Sequence, residues 1–127
     1  MIKLLLYIWQ LPQNLLGLLV ILFTGAHKTV ISEWVASKWP PFGVSLGNYI
    51  IFGGAGGSVD SLKHEQGHQK QSKYLGPLYL LIIGLPSALG NLWDRLFHKK
   101  WIKAKRIAWY YKQPWEAWAD KLGGVKR

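Results

Sequence analysis

Residues 60–93 read DSLKHEQGHQKQSKYLGPLYLLIIGLPSALGNLW, and the fold turns on how this stretch is interpreted. Its first half predicts a helix over residues 60–74, with Ser58 or Asp60 available as cap and Gly76-Pro77 as terminator. Its second half, residues 75–93, is an apolar run interrupted by Gly84 and Pro86. Inside the helix lies His64-Glu65-Gln66-Gly67-His68, an H-E-x-x-H motif. Helical residues four apart lie on one face, so both imidazoles can reach one metal ion. Glu65 stands beside that face, where a carboxylate can take a proton from a metal-activated water and return it to a leaving group. With four His in the chain, the motif is expected by chance roughly 0.003 times. A capping role for Glu65 fits poorly, because Leu62, three residues earlier, is no capping residue. The competing reading of the two His is an exposed polar face among Lys63, Gln66, Gln69 and Lys70.

Two His leave a catalytic zinc site one protein ligand short. The chain has no cysteine, so the third ligand comes from His27, His98, Glu33 or Glu116. Glu116 stands out. It lies in Trp115-Glu116-Ala117-Trp118-Ala119-Asp120, one turn into a helix predicted over residues 114–123, opened by Pro114 and closed by Gly123-Gly124. Asp120 follows at i+4 on the same face, placed to orient a ligating His through its free N–H. The plainer alternative for Glu116 is an acid favoured by the helix dipole.

The 127 residues suffice for one domain. Half are hydrophobic and eight are Trp, a residue that collects at membrane–water interfaces. The net charge is +10, and most of it lies in residues 94–127, where basic residues alternate with Trp and Tyr. That pattern favours anionic lipid headgroups over nucleic acid as the partner. Residues 4–23, LLLYIWQLPQNLLGLLVILF, are long enough to span a bilayer and too long for a signal peptide, with no small-residue cleavage site after them. Gln10, Pro12, Gln13 and Asn14 interrupt the segment, which is therefore either a kinked span, the plainer reading, or a broken, re-entrant pair of half-helices. Residues 24–41 are polar and end in Pro40-Pro41. Residues 44–52, VSLGNYIIF, read as a short strand beside the cleft, able to pair with an extended substrate. The glycine run 53–57 is a flexible loop without the spacing of a phosphate-binding loop.

The pattern HExxH followed by E-x-x-A-D-x-L-G resembles the gluzincin metallopeptidases, particularly the integral-membrane branch containing the CAAX-type and bacterial heat-shock membrane proteases. HEQGHQKQSKYLGPLYLLIIGLPS with WADKLGGV also resembles a family of small bacterial membrane proteins. The resemblance covers residues 45–124. It implies a zinc cofactor held by His64, His68 and Glu116, Glu65 as general base, Asp120 behind a ligand, and an apolar hairpin between the two ligand-bearing helices. The chain departs from the peptidases in its small size.

The expected protein is thus a single membrane-embedded domain over residues 1–127, mainly α, with broken or re-entrant apolar helices and one short strand or hairpin before a zincin-like helix. Residues 75–93 should form the hairpin, turning at Gly84–Ser87, because a full crossing would separate His64 and His68 from Glu116. Gln71 or Ser72 is expected to line the cleft, and the substrate is expected to be a peptide or membrane protein. The basic tail and the site belong on the cytoplasmic face by the positive-inside rule. The alternatives are a metal-binding membrane protein without turnover, which would tolerate Glu65→Gln, and a cationic amphipathic protein that binds no zinc.

Overall fold

The computed structural model describes residues 1–28, 34–36, 43–53 and 58–127. Residues 29–33 and 37–42 of the polar stretch, with Glu33 and Pro40-Pro41, and residues 54–57 of the glycine run lie outside the described residues. The architecture is mainly helical with a small sheet. In chain order it comprises α1 (Ile2–Trp9), α2 (Leu11–Thr24), β1 (His27–Lys28), β2 (Trp34–Ala36), β3 (Val44–Leu46), β4 (Tyr49–Gly53), α3 (Val59–Leu75), α4 (Leu85–Phe97), α5 (Lys103–Tyr111) and α6 (Pro114–Gly123).

The first apolar segment is two helices bent by 83° rather than one kinked rod. The polar residues at its centre explain the break. Gln10, Gln13 and Asn14 are fully buried, and burying such groups is tolerable only when they are hydrogen-bonded. Gln13 Nε2 donates to Ser72 Oγ at 2.8 Å and to the Gly76 carbonyl at 2.9 Å, and Ser72 Oγ donates to Gln10 Oε1 at 2.6 Å. Asn14 Oδ1 accepts the Asn48 N–H at 2.7 Å. The corner between α1 and α2 is therefore bonded to the end of α3 and to the turn between β3 and β4. Pro12 falls in the first turn of α2, where its missing N–H costs nothing.

Residues 44–52, read from sequence as one strand, form a hairpin. Gly47-Asn48 makes the turn, with Gly47 at φ +65°, a conformation glycine adopts without a Cβ clash. The sheet order is β1-β2-β4-β3, with β3 antiparallel and β2 parallel to β4. Ile21, Leu46 and Ile51 form a small apolar core between α2 and the sheet, with Trp34, Tyr49 and Leu80 packed around it.

Helix α3 begins at Ser58, whose Oγ accepts the Ser61 N–H at 3.1 Å, and ends at Gly76, at φ +55°. Its buried residues are His64, Glu65, Gly67, His68, Gln71 and Ser72. This is an ordinary helical stripe, but it is polar where most such stripes are apolar. After α3 the chain reverses through a 3₁₀ turn at Gly76–Leu78, and the two arms diverge by 118° at Tyr79. This corrects the reversal expected at Gly84–Ser87. There the helix continues instead, because a π-turn over Leu80–Gly84 leads directly into α4 and accommodates Pro86 at its start. Among the described residues no single helix is long and apolar enough to cross a membrane, but α1 with α2, and residues 59–78 with 80–97, reach that length and hydropathy as bent pairs.

Candidate metal centre

Helices α3 and α6 lie unusually close, and small residues are the reason. A side chain at Gly67 would collide with the Ala119 carbonyl, and one at Gly123 with the Lys63 carbonyl. Backbone-to-backbone approach at these two points sets the HEQGH face of α3 against the Glu116–Asp120 face of α6. His64, His68 and Glu116 converge there, all buried, with one donor atom from each lying within 4.8 Å of the others. His64 Nε2 lies 3.2 Å and His68 Nε2 2.8 Å from the same carboxylate oxygen, Glu116 Oε1. Two ligands bound at ~2.0–2.1 Å around a tetrahedral ion sit about 3.3 Å apart. The group could therefore hold a metal ion.

Each ligand is oriented from behind. His64 Nδ1 is 2.7 Å from Asp120 Oδ1. A carboxylate only accepts, so Nδ1 carries a proton, and with a metal bound Nε2 would be the nitrogen that offers its lone pair. Asp120 in turn accepts from Arg127 Nε at 2.8 Å and Nη2 at 3.1 Å, and the Arg127 guanidinium lies 3.4 Å over the Tyr111 ring. His68 Nδ1 is 2.6 Å from Gln71 Oε1, while Gln71 Nε2 donates to the Trp115 carbonyl at 2.9 Å. The amide is thus used at both ends, and its oxygen keeps a proton on His68 Nδ1 as Asp120 does on His64 Nδ1. Glu116 Oε2 accepts from Ser87 Oγ at 2.8 Å, and Ser87 Oγ lies 3.0 Å from the Tyr110 hydroxyl.

Burial works against the Glu116 charge, but hydrogen bonds from His64 and His68 and their positive fields hold its carboxyl well below the usual range. Burial likewise works against a charged His68, but the hydrogen bond to Glu116 and the charges of Glu65 and Glu116 outweigh it and push the pKa up to about 9. Burial raises the Glu65 carboxyl, and His68 and His64 only partly offset this. A carboxylate displaced in this direction is a better proton acceptor than a free one.

Two depressions meet at this centre. One, of about 720 Å³, is polar and passes His64, Glu65, Asp94, Lys103, Arg106 and Tyr111. The other, of about 590 Å³, is mostly apolar and runs past Leu16, Val20, Leu80, Leu85 and Leu92 to Glu65 and His68. Gly43, Glu65, Asn91 and Tyr110 line both.

No protein-family model, curated protein or solved structure matches the chain. The remaining evidence is the chemistry of the centre. Of the other candidate ligands, His27 lies exposed on β1, and His98 is bonded to Asp94 at 2.9 Å and stacked on Trp101, with ring centroids 3.6 Å apart.

Gln71 and Ser72 do not line the cleft as the sequence suggested. Both are fully buried, Gln71 behind His68 and Ser72 bonded to Gln10 and Gln13. They lie at i+3 and i+4 from His68 on a helix whose buried stripe is polar, so exposure could not be inferred from polarity. Ser87, expected in a turn, instead holds Glu116. Tyr110 and Gly67 were assigned no role from sequence. Gly67 carried the one available signal, a helix-weakening residue at the centre of the motif.

Proposed function

We propose that this chain is a membrane-embedded zinc metallopeptidase that hydrolyses peptide bonds with Glu65 as general base. The observation that carries the reading is the convergence of His64, His68 and Glu116, one donor atom from each within 4.8 Å of the others, beside a buried carboxylate that opens on two clefts. A two-imidazole, one-carboxylate donor set suits zinc. When bound, zinc supplies Lewis acidity, making a water acidic and polarising a carbonyl. Glu65 takes the proton as the water oxygen bonds to the carbonyl carbon, and gives it to the nitrogen as the C–N bond breaks; the hydroxyl proton left on the new acid then passes to the amine, giving a carboxylate and an ammonium group. Tyr110, whose hydroxyl burial and Glu116 keep protonated, stands where the clefts meet, bonded to Ser87.

β3 is the terminal strand of the sheet. Leu46 pairs with Tyr49 across the two-residue turn, and Val44 with Ile51. In the antiparallel alternation these pairs exchange hydrogen bonds, so the backbone groups of Ser45 point away from β4. The Tyr79 hydroxyl on the Ser45 carbonyl, at 3.2 Å, agrees with this. The Ser45 N–H is then available to an extended peptide.

The membrane part of the reading rests on exposed apolar surface. Leu4, Leu5, Ile8, Leu15, Leu19, Leu22 and Phe23 on the first bent pair are exposed, as are Leu81, Ile82, Leu89 and Phe97 on the second. Continuous patches of this extent mark contact with lipid or protein. The basic residues of 94–127 favour anionic headgroups on the cytoplasmic side.

The test is metal analysis of detergent-purified protein combined with peptide hydrolysis. About one zinc per chain is expected, lost in His68→Ala and retained in Glu65→Gln, with hydrolysis lost in both. A well-folded wild type that binds no zinc would remove the reading. Zinc binding without hydrolysis by any preparation would leave a metal-binding protein.

A further inference from the structure

The two depressions differ in chemistry and share one junction, and this bears on what the site accepts. The apolar groove is walled by Leu16 and Val20 of α2 and by Leu80, Leu85 and Leu92 on the other side. Within it one polar atom has no partner. Ser45 is buried, 3% exposed, and its Oγ makes no hydrogen bond. A buried hydroxyl without a partner is unfavourable, and a bound ligand with a backbone amide alongside β3 would relieve it. Past Glu65 the surroundings become mixed, with Asp94, Lys103 and Arg106 beside Phe52, Trp101 and Ile107, which suits a more polar segment than the groove does.

Resting on the metallopeptidase reading, we infer that the substrate is a peptide with an apolar segment immediately on the N-terminal side of the scissile bond and a polar segment on its C-terminal side. The direction follows from the strand. β3 follows Gly43, which lies at the junction, and ends at Leu46, in the apolar groove. Antiparallel pairing is the more stable arrangement per residue, and it runs the peptide from the groove towards the junction, so the apolar part comes first. The scissile carbonyl then lies at Glu65 and Tyr110, the Ser45 hydroxyl meets the backbone of the apolar part, and Asn91 marks the change from one environment to the other. A chain emerging from a bilayer into water has this composition.

Three synthetic peptides test the inference on zinc-loaded full-length protein in lipid nanodiscs: apolar-then-polar, polar-then-apolar, and polar throughout. Hydrolysis is located by mass spectrometry. Binding of the same peptides, fluorescently labelled, is measured separately on Glu65→Gln protein. The apolar-then-polar peptide should be cut at its boundary with kcat/KM at least ~10-fold above the others. Leu92→Glu, at a half-exposed groove position, should raise its KM about tenfold while zinc content shows the centre intact. Ser45→Ala should raise KM a few-fold with kcat little changed, as for loss of a binding contact. Equal cleavage of all three peptides, or preference for the reversed one, overturns the inference and leaves the peptidase reading standing. If nothing is cut, but only the apolar-then-polar peptide binds and Leu92→Glu abolishes that binding, the peptidase reading fails and the groove assignment stands. If nothing is cut and the apolar-then-polar peptide does not bind selectively, both fall.

Discussion

Gln71 illustrates how much of the centre depends on groups that touch no ligand position. Its amide accepts from His68 Nδ1 and donates to the Trp115 carbonyl, so it links a ligand of α3 to the first turn of α6. Gln71→Leu should weaken zinc binding by ~10–100-fold, as removing a group behind a metal ligand usually does, measured by competition with a chromophoric chelator. Asp120→Asn should fall in the same range, because an amide nitrogen facing His64 Nδ1 would favour the wrong tautomer. An unchanged affinity in either variant would return that residue to a packing role. The His68 pKa of about 9 adds a pH dependence. In the metal-free protein the charged imidazole stabilises the fold fully below about pH 6.5. That contribution is lost as pH rises through about 9. Zinc needs the neutral imidazole, so apparent zinc affinity should increase from pH 7 to 9 and level off above. A flat profile in the same competition assay would contradict this.

The pairing of α3 with α6 is an interaction between elements, and its hinge point is one missing side chain. Gly67→Ala places a Cβ against the Ala119 carbonyl. Because the neighbour is backbone, the helices must separate, at a cost of about 1–3 kcal/mol for overpacking of this kind. Glu116 would move away from both imidazoles. The expected result is a lower Tm together with loss of zinc, whereas a variant with normal zinc content would show that the approach is not required. The corner between α1 and α2 makes a separate prediction. Gln13→Leu leaves the Gly76 carbonyl and Ser72 Oγ without their donor and should destabilise by about 1–3 kcal/mol. Denaturant titration would measure this, and zinc binding should be affected less than by Gly67→Ala.

For the molecule as a whole, the centre constrains how the chain would lie relative to a bilayer under the proposed membrane-embedded reading. His64, His68 and Glu116 meet only if the apolar stretch between them returns to the side it left. Cysteines introduced at Ser61 and Lys121 of this cysteine-free chain should react alike with a membrane-impermeant reagent, protected in intact cells and labelled in inside-out vesicles. Labelling of only one of them in either preparation would be incompatible with the centre and with the proposed activity.

Local chemistry was legible in the residues. The spacing of His64 and His68, the helix over 114–123 with Glu116 and Asp120 four apart, and the Ser58 cap all depend on interactions within one or two turns, and such interactions are encoded at fixed offsets along the chain. The partners that cross between elements were not legible. Gln71 and Ser72 were expected at the cleft because polar residues are usually exposed, and only the packing of α3 against α6 and against the α1–α2 corner buries them. The reversal at Gly76–Tyr79 was expected eight residues later because Gly84-Leu85-Pro86 has the composition of a turn. A π-turn lets a helix continue into such a sequence, and whether it does so depends on what the following helix packs against, which offsets along the chain do not record.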